Sequence, residues 1–507
     1  MPPRLPIAAL LCAALGLSGC GLLGSKAPNI LLITLDTVRA DRLGAYGYAA
    51  AQTPVLDELA RRGVLFEAAF CQAPLTLPSH VSILTGTYPF FHGVRDNGYF
   101  LLSKRATTVA ETLSNDAGYR TAAFISGYPL AARFGLNQGF GIYDDELTSG
   151  SEEHFGETVR VERLAAETTD RAAAWLEQLD QPPFFAWVHY FDPHSDYTPP
   201  EPFDQSFSDR PYDGEIAYVD RELGRLLEAL RRLELEGSTI VAVIGDHGEG
   251  LDQHDETEHG LQVYDETIRI PLILTLPDGR WAGRRVEALV ESIDLVPTLL
   301  ELAGVEPARQ VQGSSLVALL AGEVDQVHEQ IYSETFSPRL GFGACELESL
   351  RSQQWKYVRA PRPELYDLER DPSELDNLHA SQRQRAAEFD DRLTRLLTFR
   401  GGEALPGPVQ TLDPEAQSKL ASLGYLASSS GYREDVLSQP CEGDPKELVR
   451  WVSGLQYASR MVRMGQPAQA RARLEQILAR APAASAQGEN YRRMVEEFLA
   501  GLETHGS

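Results

Sequence analysis

Cysteine is scarce, with five in 507 residues, and basic side chains are outnumbered: 46 Lys and Arg face 73 Asp and Glu, for a formal net charge of −27. Cys12 and Cys20 lie near the N-terminus, leaving Cys71, Cys345 and Cys441 for the body of the chain. Three thiols cannot all pair and their wide spacing fits no metal ribbon, so neither a disulfide framework nor a cysteine metal site is expected. The acidic field repels nucleic acid at long range. It excludes a DNA or RNA partner and requires that an anionic substrate be captured by a local positive site or a metal. Past Cys20 no apolar run reaches the roughly 20 residues that span a membrane, so no transmembrane helix is expected in the body. What is present is the make-up of a folded chain, 43% hydrophobic and 23% charged, with enough apolar surface to offset the entropy of ordering. At roughly 150 residues per domain, the length points to one large domain with appendages.

The N-terminus, "MPPRLPIAALLCAALGLSGCGLLGS", holds one Arg4, an apolar run from Leu5 to Leu17 and then "LSGC". That run is short for a membrane span and has the layout of a secretory signal. "LSGC" resembles the lipobox of bacterial lipoproteins, which implies that Cys20 becomes the acylated first residue of the mature chain. Gly21 follows rather than an aspartate, and by the same resemblance favours the outer over the inner membrane of the cell envelope.

"NILLITLD" (29–36) is a continuous apolar run ending in a carboxylate, the pattern of a parallel strand buried on both faces. "YRTAAFISG" (119–127), "FFAWVHY" (184–190), "TIVAVIGD" (239–246) and "IPLILTLP" (270–277) read as further strands, and helical patterns lie at 53–63, 157–180 and 214–233. Alternating strands and helices predict an α/β fold with a mostly parallel central sheet flanked by helices, and an active site outside the C-terminal ends of the strands. From about 330 the texture turns to short strands and turns, which predicts a smaller antiparallel subdomain. After Leu378 the chain becomes helical, passes a Ser-rich linker at 427–432 and ends in helices. In that tail Ala458, Gly465, Ala470, Leu474 and Pro482 sit where a tetratricopeptide repeat has its small, large and terminating residues. The tail resembles one such repeat, with an ordinary helical hairpin as the other reading, and either packs on the main domain or binds a protein partner.

The predicted topology brings Asp36, Thr76 at a helix start, and the pair Asp246–His247 to one sheet edge. Oxygens plus an imidazole make one divalent metal site, better suited to Zn or Mn than to the all-oxygen shell of Ca. A hydroxyl held against such a cation loses its proton near neutral pH, which makes Thr76 a nucleophile. Pro78 pre-sets the first helical turn, so backbone N–H groups point at an oxyanion beside Thr76.

"NILLITLDTVRADRLGAYGY", "TLPSHVSILTGTYPFFHGV", "FDPHSDYTPP", "YDGEIAYVDRELGRLL", "GDHGEGLDQHDETEHG" and "ELYDLERDPSELDNL" resemble, in order, the signatures of the sulfatase family of the alkaline phosphatase superfamily. The resemblance runs from about 27 to 380. It implies a signal at 1–19, a lipidated tether at 20–26, a catalytic domain at 27–329, an antiparallel subdomain at 330–380, a helical and linker segment at 381–432 and a helical tail at 433–507.

The departures bear on mechanism. The family's nucleophile motif is C/S-x-P-S-R, and this chain has Thr76-Leu77-Pro78-Ser79-His80. Sulfatases oxidise that Cys or Ser to formylglycine; the methyl on a threonine Cβ permits only a ketone. A threonine nucleophile, with Thr37 after Asp36 and His247 after Asp246, is similar to the phosphodiesterases and phosphoethanolamine transferases of the superfamily. "CQAPL" at Cys71 lacks the motif and reads as core. His259 matches a family position near the leaving group, as general acid or ligand. His80, in the arginine position, His194 and Arg39 are candidates for substrate contact, with packed or solvated side chains as the other reading. Asp192, His194 and His259 lack the spacing of related two-metal sites, so one metal is expected. Glu249 and His254 read as loop residues.

The function expected is a metal-dependent hydrolase or transferase of phosphoryl-type esters acting through Thr76, on a glycan, lipid headgroup or envelope polymer. Sulfuric ester hydrolysis without formylglycine is the first alternative. A non-catalytic binding lipoprotein is the second, and the intact metal set weighs against it.

Overall fold

The computed structural model describes residues 27–399 apart from 148–151, 155, 156 and 160, then 404–423, 425, 437, 439–441, 443–463, 465–479 and 492–499 apart from 494 and 497. The lipobox with Cys20, the Ser-rich linker and Pro482 lie outside the described residues.

The central sheet is built from β1 (Asn29–Leu35), β2 (Val64–Phe70), β3 (Arg120–Phe124) and β4 (Ile142–Asp144). After a separate hairpin of β5 (Glu152–His154) and β6 (Glu157–Val159) it continues with β7 (Phe184–Tyr190), β8 (Thr239–Gly245), β9 (Arg269–Thr275), β10 (Arg284–Val286) and β11 (Val290–Glu291). The spatial order is β10-β2-β9-β8-β1-β7-β3-β4, with β11 also on β2. All neighbours are parallel except β9, which runs antiparallel to both β2 and β8. Two antiparallel pairings restore the direction, so β2 points the same way as β1 and β8 and ends on the same edge of the sheet.

β1 is buried along its whole length, and its alternation feeds two cores. Ile30 and Leu32 join the cluster on one face, and Leu31, Ile33 and Leu35 the cluster on the other. Burying one such side chain contributes about 1.5–3 kcal/mol, so both faces must stay covered by helices. One cover is the amphipathic helix Pro211–Arg232, opened by Pro211 at its first position and packed through Tyr212, Ile216, Leu223 and Leu226. The helix expected over 157–180 spans only Ala165–Glu177. Glu157–Val159 is a strand instead, where the β-branched pair Thr158–Val159 suits extended backbone. β2 was not foreseen, because "VLFEAAF" is a short apolar run that periodicity alone cannot assign.

A second, antiparallel sheet consists of β12 (Ile331–Thr335), β13 (Leu347–Arg351), β14 (Trp355–Arg359) and β15 (Glu364–Asp367). The helix Arg383–Phe399 packs on it through Ala386, Phe389 and Leu393. The chain then crosses back over the main domain as a strap: Leu405 N–H donates to Phe91 O (2.8 Å), Leu101 N–H to Pro408 O (3.1 Å) and Gln410 N–H to Tyr99 O (2.9 Å). The strap ends in the helix Pro414–Ser422, capped by Asp413 and sunk into the main core through Leu412, Ala416 and Leu420.

The tail forms a helix pair, Pro445–Arg463 and Pro467–Leu478, turning at Gly465 (φ 71°) with Ala470 and Leu474 fully buried. Its first helix rests on the main domain, with Leu448, Val449 and Val452 packed against Leu261, Phe342 and Ala344. Contrary to expectation, Cys345 and Cys441 form a disulfide, at a sequence separation of 96. Two cysteines that far apart, with a third in the same body, carry no pairing signal in sequence; the fold brings them together. In the chain-entropy picture, a loop of that length is worth on the order of 4–5 kcal/mol. Cys71 is buried core, as its sequence context implied.

Candidate functional site

Asp36 follows β1, Asp246 and His247 follow β8, and His194 lies four residues past β7, so three central strands deliver polar side chains to one edge. The two carboxylates and the His247 imidazole have zero exposure, and one ligand atom from each lies within 4.8 Å of the others.

Each of these side chains has one polar atom tied down and one left open. Asp36 Oδ2 accepts from His189 Nε2 at 3.2 Å, and the tautomer is set because His189 Nδ1 accepts from the Ser126 N–H at 3.2 Å. Asp246 Oδ1 accepts the backbone N–H groups of Thr37 (3.1 Å) and His247 (2.7 Å). His247 Nδ1–H donates to Gly248 O at 3.0 Å. The remaining atoms, Asp36 Oδ1, Asp246 Oδ2 and His247 Nε2, are buried without a hydrogen-bond partner. Buried polar atoms are rarely orphaned, and three converging ones fit a cation. Burial pushes the Asp36 carboxyl far above the usual range, with Asp246 and Glu249 adding to it. Burial also pushes Asp246 up to about 8 and holds the His247 imidazole neutral, as a ligand must be. Two carboxylates and an imidazole are the donor set of a divalent transition metal.

The backbone at this edge is strained. Thr37 has φ 54°, costly for a β-branched residue, and three bonds hold it there: its N–H on Asp246, its hydroxyl on Pro193 O and its carbonyl accepting from Tyr212. Gly248 lets the ligand loop pass against the 266–267 backbone, because a Cβ there would collide with the Glu266 carbonyl oxygen.

Thr76 is the first residue of the helix Thr76–Thr85 and is fully buried. No side chain of the preceding residue caps this helix; Asn97 Oδ1 instead accepts the Leu77 N–H at 2.8 Å. Ser79 Oγ donates to Asp246 O at 2.6 Å, tying the nucleophile turn to the ligand loop. His80 does not reach substrate. Its Nδ1–H donates to Thr76 O (2.8 Å) and its Nε2 accepts from Thr34 Oγ1 (3.0 Å), which accepts in turn from Trp187 Nε1 (2.9 Å). The helix register places residue 80 one turn behind residue 76, so the imidazole braces the nucleophile turn from the core, and burial lowers its pKa to about 3. Arg39 is also committed elsewhere, to Asp41 (2.9 and 2.7 Å) and Glu249 O (3.1 Å). It lines a separate cavity of about 250 Å³.

His194 and His259 do converge on Thr76, through an intermediary that sequence did not suggest. The Tyr425 hydroxyl lies 3.1 Å from Thr76 Oγ1 and 3.3 Å from Nε2 of both histidines. His194 stacks on Phe191, with ring centroids 4.3 Å apart. His259 Nδ1 lies 3.1 Å from Glu249 Oε1, and Glu249 Oε2 accepts from Tyr197 at 2.9 Å. Burial works against charging His259, but the Glu249 carboxylate outweighs it and raises its pKa. Glu249 therefore belongs to the site, where sequence gave only a loop position; its spacing of ten before His259 was the available signal. Asp192 is occupied with the N-terminus of the helix Ala165–Glu177, accepting the Ala165 N–H at 3.0 Å.

Against known proteins, the family model for sulfatases matches residues 28–305. A second, for the C-terminal region of N-sulphoglucosamine sulphohydrolase, matches residues 258–398. The chain is 25% identical over 450 residues to the Delta 4,5-hexuronate-2-O-sulfatase of Bacteroides thetaiotaomicron, covering 75% of this chain and 92% of that one. It is 23% identical over 487 residues to the N-acetylglucosamine-6-O-sulfatase of the same organism, covering 72% and 86%. The crystal structure of the phosphonate monoester hydrolase of Agrobacterium radiobacter matches with a TM-score of 0.64 and 25% identity, over 74% of this chain and 96% of that one.

Wild-type protein is expected to purify with about one equivalent of divalent metal and Asp246→Ala with well below that, since the two ligands left cannot hold a dication against water. His247→Asn, which replaces the imidazole by an oxygen, should retain metal and shift preference toward Ca. Elemental analysis of the purified proteins decides; an Asp246→Ala protein with its metal undiminished contradicts the assignment.

Proposed function

The chain belongs to the sulfatase family and is a hydrolase of sulfuric or phosphoric esters, and on that premise we propose that it cleaves phosphoryl-type esters through Thr76. The observation that carries this reading is the Thr76 hydroxyl, set at a helix N-terminus whose Ser79 donates to the main-chain carbonyl of Asp246, the residue whose open carboxylate oxygen lies beside two other open ligand atoms. No oxidation converts a threonine to an aldehyde, so the hydroxyl itself must be the nucleophile.

Asp36, Asp246 and His247 would hold a divalent cation, with Zn or Mn favoured over Ca, which would supply Lewis acidity at the reacting oxygens. Thr76 gives up its proton to solvent, from which it regains one on release, and Oγ1 attacks phosphorus in line, forming the Oγ1–P bond as the bond to the leaving oxygen breaks. His259, whose Nδ1 faces the Glu249 carboxylate, donates its Nε2 proton to that leaving oxygen. The neutral His259 then takes a proton from the water that attacks phosphorus, and Thr76 is released. His194, whose Nδ1–H donates to Ser195 O, would bind a non-bridging oxygen through Nε2–H when its ring is protonated on both nitrogens. Helix N–H groups at residues 76–79 add positive potential where negative charge develops. A sulfuric ester is the second reading, favoured by the sulfatases among the relatives; the same geometry would place sulfur where phosphorus sits. Those relatives are named for sugar esters, which supports an anionic glycan ester as the substrate class.

The disulfide supports an oxidising compartment outside the cytoplasm, in keeping with lipidation at Cys20 and an envelope location. Cys20→Ala is expected to leave the membrane fraction, and a variant that still sediments with membranes after a salt wash sinks the anchor.

Thr76→Ala should lower turnover by at least ~10³-fold, because it removes the covalent step outright, while Thr76→Ser keeps measurable activity. The assay is a panel of nitrophenyl phosphate, phosphodiester, phosphonate and sulfate esters. Wild-type rates from Thr76→Ala overturn the mechanism, and Thr76-dependent turnover of the sulfate ester alone selects the second reading.

A further inference from the structure

Residues 404–423 and 425 lie beyond both stretches matched by the family models, 28–305 and 258–398, yet among the described residues they deliver the one side chain recorded against the candidate nucleophile and both candidate substrate histidines at once. We infer that Tyr425 is a built-in occupant of the oxyanion pocket: its phenol fills the place of the transferred group at rest, and an ester or a free phosphate enters only by displacing it. The inference rests on the assignment of Thr76 as nucleophile.

Steric exclusion carries the inference. A reacting atom must stand about 3–3.5 Å from its nucleophile before attack, and the Tyr425 oxygen already stands 3.1 Å from Thr76 Oγ1. A phosphorus or sulfur atom and this oxygen cannot share that position. The space left beside it is a cavity of about 40 Å³, lined by Leu75, Asn97, Glu258, His259, Leu420 and Tyr425 among others. That is room for a few waters, at roughly 10–15 Å³ each.

The phenol also matches the pocket chemically. One O–H and two lone pairs serve three partners: Thr76 Oγ1, His194 Nε2 and His259 Nε2. A tetrahedral oxyanion would be offered the same partners.

The delivery is built into the fold. The strap is pinned by main-chain bonds at Leu405, Pro408 and Gln410. Arg133 pairs with Asp413 at 2.9 Å, and Leu420 packs over Gly98, whose missing side chain (φ 102°) leaves the space that Leu420 fills. Past this anchored helix the Tyr425 N–H bonds back to Leu420 O at 3.0 Å, and the ring hangs from that turn. The pocket can therefore open by swinging one side chain at the end of a fixed strap. A tethered occupant lowers the apparent affinity of any competitor by the fraction of time the pocket is open.

The test is inorganic phosphate binding to metal-loaded wild-type, Tyr425→Ala and Tyr425→Phe proteins, read by calorimetry, with KM for nitrophenyl phosphate measured on the same preparations. Tyr425→Ala should bind phosphate at least about tenfold more tightly and show a lower KM. Tyr425→Phe keeps the ring packing and loses the oxygen, so it should fall between the two and controls for misfolding of the alanine variant. Equal affinities across the three proteins, or no binding to any, overturn the inference. So does a fall in kcat with unchanged phosphate affinity, the mark of a proton donor. Should Thr76→Ala retain turnover while the affinity gap persists, the occupant stands and the nucleophile assignment alone fails.

Discussion

Asp36 and Asp246 are buried completely at the C-terminal edge of the central sheet, and among the described residues no lysine or arginine pairs with either. Desolvating an ion costs several kcal/mol even after relaxation, and two carboxylates side by side add repulsion. The folded chain invests in holding them there: His189 from the strand interior, two backbone N–H groups, and a threonine in left-handed backbone all fix the same two side chains. Such an arrangement suits a divalent cation at the open oxygens and the His247 nitrogen.

The nucleophile is positioned by the same framework. A line of hydrogen bonds runs from Trp187 in β7 through Thr34 in β1 and His80 to the Thr76 carbonyl, so the turn that carries the hydroxyl is referenced to the two central strands that deliver Asp36 and His194. His80 shows what a histidine in place of a substrate-facing arginine does here. It turns inward, becomes neutral by burial and stiffens the helix start. His194 and His259 instead face the Thr76 side of the pocket through the Tyr425 hydroxyl, the second beside Glu249.

Much of this was legible in sequence, because parallel strands buried on both faces leave continuous apolar runs and their C-terminal residues fall at a defined edge. Asp36, Asp246, His247 and Thr76 could be placed for that reason. Glu249 and Tyr425 could not, since a loop carboxylate and a tyrosine beyond the matched motifs acquire their roles only from tertiary contact. The Cys345–Cys441 bridge was missed on the same ground. An arginine after a ligand strand has the right charge for a substrate contact; in the fold Arg39 pairs with the Asp41 carboxylate two residues on, in bidentate reach.

The account turns on a threonine oxygen forming a covalent bond to the transferred group. Rapid acid quench of the metal-loaded protein during turnover of a nitrophenyl phosphoester, followed by peptide mass spectrometry, tests this directly. The account predicts a phosphoryl group on the peptide containing Thr76, borne by that side chain and absent from Thr76→Ala. An unmodified Thr76 in a protein that is turning over rapidly, or the adduct on another residue, would contradict it.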